Sequence, residues 1–118
     1  MPKQQALDLY GIVNCDQVKK ARVWLAAAGR EVTFHDFKKE PPSKMLLEQW
    51  LKQLAWDELV NRRGTTWRQL PEAERPTDKK SALGAMLERP TLIKRPVVSF
   101  AGQLLVGFDA DLFNKTFG

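Results

Sequence analysis

The residue on which chemistry can rest is Cys15, the only cysteine of the chain. It stands in Leu9-Tyr10-Gly11-Ile12-Val13-Asn14-Cys15-Asp16-Gln17-Val18-Lys19-Lys20, where an apolar strand passes through a turn into a helix that opens on the thiol. A sulfur at a helix N-terminus faces unpaired backbone N–H groups and the positive end of the macrodipole, an arrangement that suits a thiol nucleophile. Lys19 and Lys20 add positive charge within a turn of it, and Asp16 subtracts some. By position alone an inert, packed cysteine is an equal reading. The only histidine, His35, sits in an apolar run beside Phe34 and Phe37 and reads as a strand-face residue rather than a base. One Cys and one His do not make a metal site, so no metal and no bound cofactor are expected.

The elements that must position Cys15 follow from the pattern around it. Leu7 to Ile12 alternates as a strand, and Val18, Ala21, Leu25 and Ala28 recur at helical spacing, so a helix is expected from about Asp16 to Ala28, stopped by Gly29. Val32 to Phe37 is a second, β-branched and aromatic strand, and a strand, helix, strand unit of this length implies a right-handed crossover and a parallel pair. Ser43 after Pro41-Pro42 caps a helix whose Leu47, Trp50, Leu51 and Leu54 form one apolar stripe. A helical turn at Trp56 to Val60 leads into Asn61 to Arg68, read as a basic loop whose Gly and Thr residues present N–H groups to an anion. Pro71 and Pro76 bound an irregular connection; Thr77 or Asp78 then caps a helix carrying Leu83, Met86 and Leu87 on one side, with Pro90 just beyond its end. Val97 to Phe100, the Ala101-Gly102 turn and Leu104 to Phe108 make an antiparallel hairpin, and Asp109 or Asp111 caps a terminal helix ending near Phe117. The class is α/β, with a parallel pair and a hairpin in one mixed sheet.

Composition sets the bounds. A chain of 118 residues with 43% hydrophobic content suits one packed domain over residues 1–118 rather than a disordered segment. No run reaches the apolar length of a membrane span, Met1 to Ala6 lack the apolar stretch of a secretory signal, and a lone cysteine gives no disulfide framework. A cytoplasmic protein without membrane contact is expected. The net charge of +5 and pI near 9.6 suit an anionic substrate, and equally a solvated basic surface, and no direct nucleic-acid partner is expected.

A cysteine at a helix start followed, much later, by Arg-Pro directly before a hairpin is the order of the thioredoxin fold. The stretch Tyr10 to Ala21, with Asn61 to Arg68 and Ile93-Lys94-Arg95-Pro96, resembles the arsenate reductase/Spx family, and is most similar to its YffB-type branch. The resemblance covers nearly the whole chain and implies a thioredoxin-like, mixed four-stranded sheet with a helical insertion at about 43–89, between the second and third strands. It implies that Cys15 is the nucleophile and that arginines bind the oxyanion or thiolate: Arg95, and Arg63 from the basic loop, with Arg62 its alternative. Asn14, Lys19 and Pro96 complete the expected substrate-binding set. Two positions depart from the family. The arsenate reductases' further arginine after the hairpin turn has no counterpart, Gly107 standing about there, with none of Leu104 to Phe108 basic; and Val18 occupies the place of the second cysteine of redox-sensing Spx proteins. With one sulfur in the chain, an adduct on Cys15 must be resolved by an external thiol. The expected activity is that of a glutathione-dependent thiol oxidoreductase, with glutathione or a glutathione mixed disulfide as partner and glutaredoxin as a further one. An arsenate reductase coupled to glutaredoxin and glutathione is the second enzymatic reading; a Spx-like regulatory module binding RNA polymerase is the reading from another class.

Overall fold

Strict alternation of buried and half-buried side chains makes Leu7–Gly11 the first strand, β1, with Leu7 and Leu9 fully buried on one face. The computed structural model describes residues 7–117; residues 1–6, whose sequence lacks an apolar signal stretch, and residue 118 lie outside the described residues. By its contacts the chain divides into two units, Met1–Asp36 with Arg95–Gly118, and Phe37–Lys94. The insertion expected at about 43–89 falls inside the second, which extends further at both ends.

In the first unit, β1 continues into helix α1 (Asp16–Ala27) and strand β2 (Val32–Asp36), and the chain re-enters with β3 (Val97–Phe100), β4 (Gln103–Val106) and the terminal helix, here α6 (Ala110–Phe117). The sheet order is β2-β1-β3-β4, with β1 and β2 parallel and the other pairs antiparallel, which is the expected mixed four-stranded arrangement. Helix α1 ends one residue earlier than the apolar spacing suggests. The Gly29 N–H bonds to the Ala26 carbonyl and the Arg30 N–H to the Leu25 carbonyl, a paired closure with Gly29 at φ 73° that satisfies the last carbonyls. The first and second strands stop at Gly11 and Asp36, each one residue short of the expected end. Strand β4 begins and ends earlier than expected: Phe100 pairs with Gln103 across the Ala101-Gly102 turn, and Gly107, at φ 81°, leaves the ladder. Asp109, not Asp111, caps α6, its Oδ1 accepting from the Asp111 and Leu112 N–H groups.

The core of this unit joins Leu7, Leu9, Val18, Ala21, Leu25, Val98, Leu105, Phe113 and Phe117. Phe113 is its centre, fully buried and edge-on to Trp24, Phe108 and Phe117. Phe113→Ala is therefore expected to cost about 3–5 kcal/mol, read as a lowered midpoint in urea unfolding. On the opposite face of the sheet His35 stacks on Tyr10 with ring centroids 4.5 Å apart, and its Nε2 lies 2.9 Å from Asp8 Oδ1. That is a strand-face role.

The second unit holds α2 (Lys44–Gln53), α3 (Trp56–Leu59), α4 (Thr65–Gln69) and α5 (Lys79–Glu88), with 3₁₀ turns at Glu72–Glu74 and Pro90–Leu92. Ser43 caps α2 as expected, accepting from the Leu46 N–H, and Leu47, Trp50 and Leu51 form its buried stripe, while Leu54 is the half-buried C-cap. Asp78 caps α5; the Ser81 backbone N–H and hydroxyl hold its carboxyl below the usual range, so this contribution is present above the unfolded carboxylate pKa and fades as pH falls through the folded one. The buried line of α5 is Ala82 and Met86, with Leu83 and Leu87 half-buried, a rotation of about one residue from the expected stripe. Pro90 does not simply follow the helix but opens a 3₁₀ turn.

The expected basic loop Asn61 to Arg68 is also shorter. From Thr65 onward it is α4, with Gly64 as N-cap and its carbonyl accepting the Arg68 N–H; the Thr66 hydroxyl is held by that of Thr91 at 2.9 Å. Long-range anchoring of this kind overrides the weak helix propensity of Thr.

Candidate active site

Cys15 is the N-cap of α1, with extended backbone (φ −116°, ψ 123°), and its carbonyl accepts the Lys19 N–H at 2.9 Å. The Cys15 side chain makes no capping bond, so the first-turn N–H groups stand beside a half-buried thiol. The inner side of Cys15 packs against the core of the first unit, which fixes where the sulfur can go. Asn14 and Lys19 are exposed, and Val13 just before them is 49% exposed.

Gly11 sets the height of the cysteine turn over the helix. A Cβ there would stand 2.6 Å from Val18 Cγ2, on a β-branched side chain that is completely buried and has little room to turn. Gly11→Ala is expected to destabilise the protein by about 1–3 kcal/mol, seen as a lower thermal midpoint. Gly11→Ala paired with Val18→Ala should unfold differently from the sum of the two single changes.

Strand register brings the other segment of the site to the same end of the sheet. Tyr10 pairs with Val97, so the antiparallel register continues with Gly11 facing Pro96, and Val97 pairs with Val106, placing Gly107 beyond it. The Gly107 N–H donates to the Pro96 carbonyl at 2.8 Å. The segments Gly11–Cys15, Arg95-Pro96 and Gly107 thus share one end of one sheet. The Arg95–Pro96 bond is cis; Pro96 is buried and Arg95 half-buried. Of the expected residues, Asn14, Cys15, Lys19, Arg95 and Pro96 belong to this unit.

Arg62 and Arg63 belong to the second unit, where they line an open cleft of about 390 Å³ with Asp57, Val60, Asn61 and Lys94. Arg62 stands 3.9 Å from Asp57, both about half exposed, a contact worth little in water. The Arg63 N–H donates to Asn61 Oδ1 at 3.2 Å, and the segment is tied down by bonds from Asn61 N–H to the Leu92 carbonyl and from Lys94 N–H to the Leu59 carbonyl. Lys94, which sequence reasoning does not place in the site, is a third cation of this cleft; its signal was its place beside Arg95. Among the described residues no group of three or more His, Cys, Asp and Glu could hold a metal, and no helix is long and apolar enough to cross a membrane.

A family model described as the ArsC family matches residues 10–116. The chain belongs to the ArsC family. An uncharacterised Haemophilus influenzae protein is 43% identical to this ArsC-family chain over 94% of its length and 98% of the relative's. Among solved structures, a YffB protein superposes with a TM-score of 0.91 at 39% identity, covering 95% of this chain and 99% of the other. An arsenate reductase (ArsC) related protein from Brucella melitensis superposes at 0.79 with 44% identity, over 99% and 98% of the two chains. The fold of this ArsC-family chain is accordingly the thioredoxin-like one that the resemblance implied.

Proposed function

We propose that this protein is a glutathione-dependent thiol oxidoreductase of the cytoplasm that works through Cys15 alone. The observation that carries the reading is the state of that residue: the chain's one thiol, half-exposed, at the N-cap of a helix and making no capping bond itself. The sulfur of Cys15, as thiolate, attacks the glutathione sulfur of a mixed disulfide. The old S–S bond breaks, the partner leaves as a thiolate and takes a proton, and Cys15 is left bonded to glutathione. A second glutathione, as thiolate, attacks that adduct, releasing glutathione disulfide and restoring Cys15. The net change is that the mixed disulfide and one glutathione become the partner thiol and glutathione disulfide: one glutathione sulfur is oxidised as the partner's sulfur is reduced, so no second cysteine is needed in the chain. A glutaredoxin can supply the second thiol in place of free glutathione.

The anionic tripeptide needs cations and an open backbone end. Lys19 and Arg95 supply charge, the first-turn N–H groups of α1 and the side chain of Asn14 supply hydrogen bonds, and the bond from Gly107 fixes the Pro96 backbone beside them. Of the two adjacent arginines in the second unit, Arg63 is the one we assign to an anion, with Arg62 its alternative. Arsenate reduction is a second reading, favoured by the similarity to the arsenate reductase related protein of Brucella melitensis.

The direct test is turnover of the mixed disulfide of glutathione and 2-mercaptoethanol, coupled through glutathione reductase. Saturable turnover by the protein is expected, and a rate no greater than that of glutathione alone would sink the reading. Arg95→Ala should raise the KM for the glutathione substrate about ten- to a hundredfold, the usual loss for one charge-assisted contact, with an unchanged circular dichroism spectrum.

A further inference from the structure

Helix α1 carries a second feature beside Cys15. A cleft of about 450 Å³ runs between α1 and the edge strand β2, lined by Lys19, Arg22, Val23, Ala26, Arg30, Val32 and Phe34, all in the first unit. It exists because Val32 and Phe34, register partners of Leu7 and Leu9, present apolar side chains on the face that α1 covers, yet remain half-buried at the sheet edge. The floor is thus apolar. The Arg22 guanidinium lies over the Phe34 ring, 4.5 Å from its centroid, leaving a flat wall with hydrogen-bond donors at its rim. Arg30 closes the far end, held by its own bond from Nη2 to the Phe117 carbonyl at 2.8 Å. Three cations and no carboxylate line this volume, and among the described residues neither Lys19 nor Arg22 has an acidic partner.

The cleft begins about one turn along α1 from the cysteine. Positions 19, 22, 23 and 26 share one side of the helix, and by its rise Lys19 stands about 6 Å and Arg22 about 10 Å along the axis from Cys15 at the N-cap. That is the reach of a small group attached through one sulfur. Flat apolar walls, a cationic rim and a volume fit for a small molecule describe a site for a compact, ring-bearing anion.

Resting on the glutathione reading above, we propose that this cleft holds the non-glutathione half of the mixed disulfide, and that the preferred partner is a small thiol with a planar ring and a carboxylate. In the first step Cys15 attacks the glutathione sulfur, and the ring-bearing thiolate departs from the mouth of the cleft; Arg22 holds its carboxylate and the Phe34–Arg22 wall its ring. An aryl thiolate is a good leaving group, so attack at the glutathione sulfur is the favoured direction.

The test compares two chromogenic disulfides of glutathione, one with 5-thio-2-nitrobenzoate and one with 4-nitrothiophenol, which differ chiefly by the carboxylate. The ratio of their kcat/KM values should exceed the same ratio measured with a free thiol in solution, and Arg22→Gln should lower it about tenfold. A ratio equal to that of the free thiol, or one that Arg22→Gln does not move, overturns the proposal while leaving glutathione dependence standing. If neither disulfide is turned over, it is the glutathione reading that fails. The cleft is then judged by titrating Cys15→Ser with 5-(methylthio)-2-nitrobenzoate: amide shifts centred on Arg22, Val23 and Phe34 that disappear with Arg22→Gln support it as a ring-and-carboxylate site, and shifts elsewhere or none refute it.

Discussion

Arsenate is expected to be reduced more slowly than a glutathione mixed disulfide is turned over, because on the proposed reading the site is short of one donor for a compact oxyanion. Reduction of arsenate gathers negative charge on oxygens close to the attacking sulfur, and removing one donor from such a cradle typically costs about 10²–10³ in rate. Where the family's arsenate reductases place a further arginine, this chain has Gly107 or a neighbour that is not basic. The backbone explains why the position does not readily take a side chain: Gly107 is in the left-handed region at φ 81°, and its N–H is bonded to the Pro96 carbonyl. A glutathione disulfide spreads its charge over separate carboxylates, so on the proposed reading Arg95 and Lys19 can hold it without a further arginine. Parallel assays of both substrates with glutathione and glutaredoxin check this. Arsenate turnover as fast as disulfide turnover would overturn this expectation, and Lys94, Arg62 and Arg68 would then be the cations to replace.

Cys15→Ser is expected to remove at least about a thousandfold of the disulfide turnover, since on the proposed reading Cys15 is the nucleophile and the chain has no second thiol to replace it. The serine hydroxyl conserves shape and the bond from the Lys19 N–H to the residue-15 carbonyl, so stability should change little. Retained turnover in Cys15→Ser, free of contaminating glutaredoxin, would show that the measured activity does not belong to this protein.

Much of the fold is legible in the residues, and the reasons are local. Strand β1 alternates, α1 carries its stripe at Val18, Ala21 and Leu25, and Ser43 and Asp78 cap the helices that follow them. Where expectation and structure differ, something distant in the chain intervenes. The start of α4 depends on Thr66 meeting Thr91, 25 residues away, and the end of β4 depends on Gly107 turning back to Pro96. Cys15 and Arg95 are recognisable as residue types, but only the pairing of Tyr10 with Val97 puts their segments at one end of the sheet. The cleft under Lys19 is less legible still, for it exists only because β2 is an edge strand.

Mass spectrometry of the intact protein after incubation with glutathione disulfide reads the proposed exchange at Cys15 itself, because the chain has no second thiol that could form a disulfide. A gain of one glutathionyl group is expected, located on Cys15 by peptide mapping and fully reversed by excess reduced glutathione. An unmodified protein under conditions that modify a free cysteine peptide would contradict it.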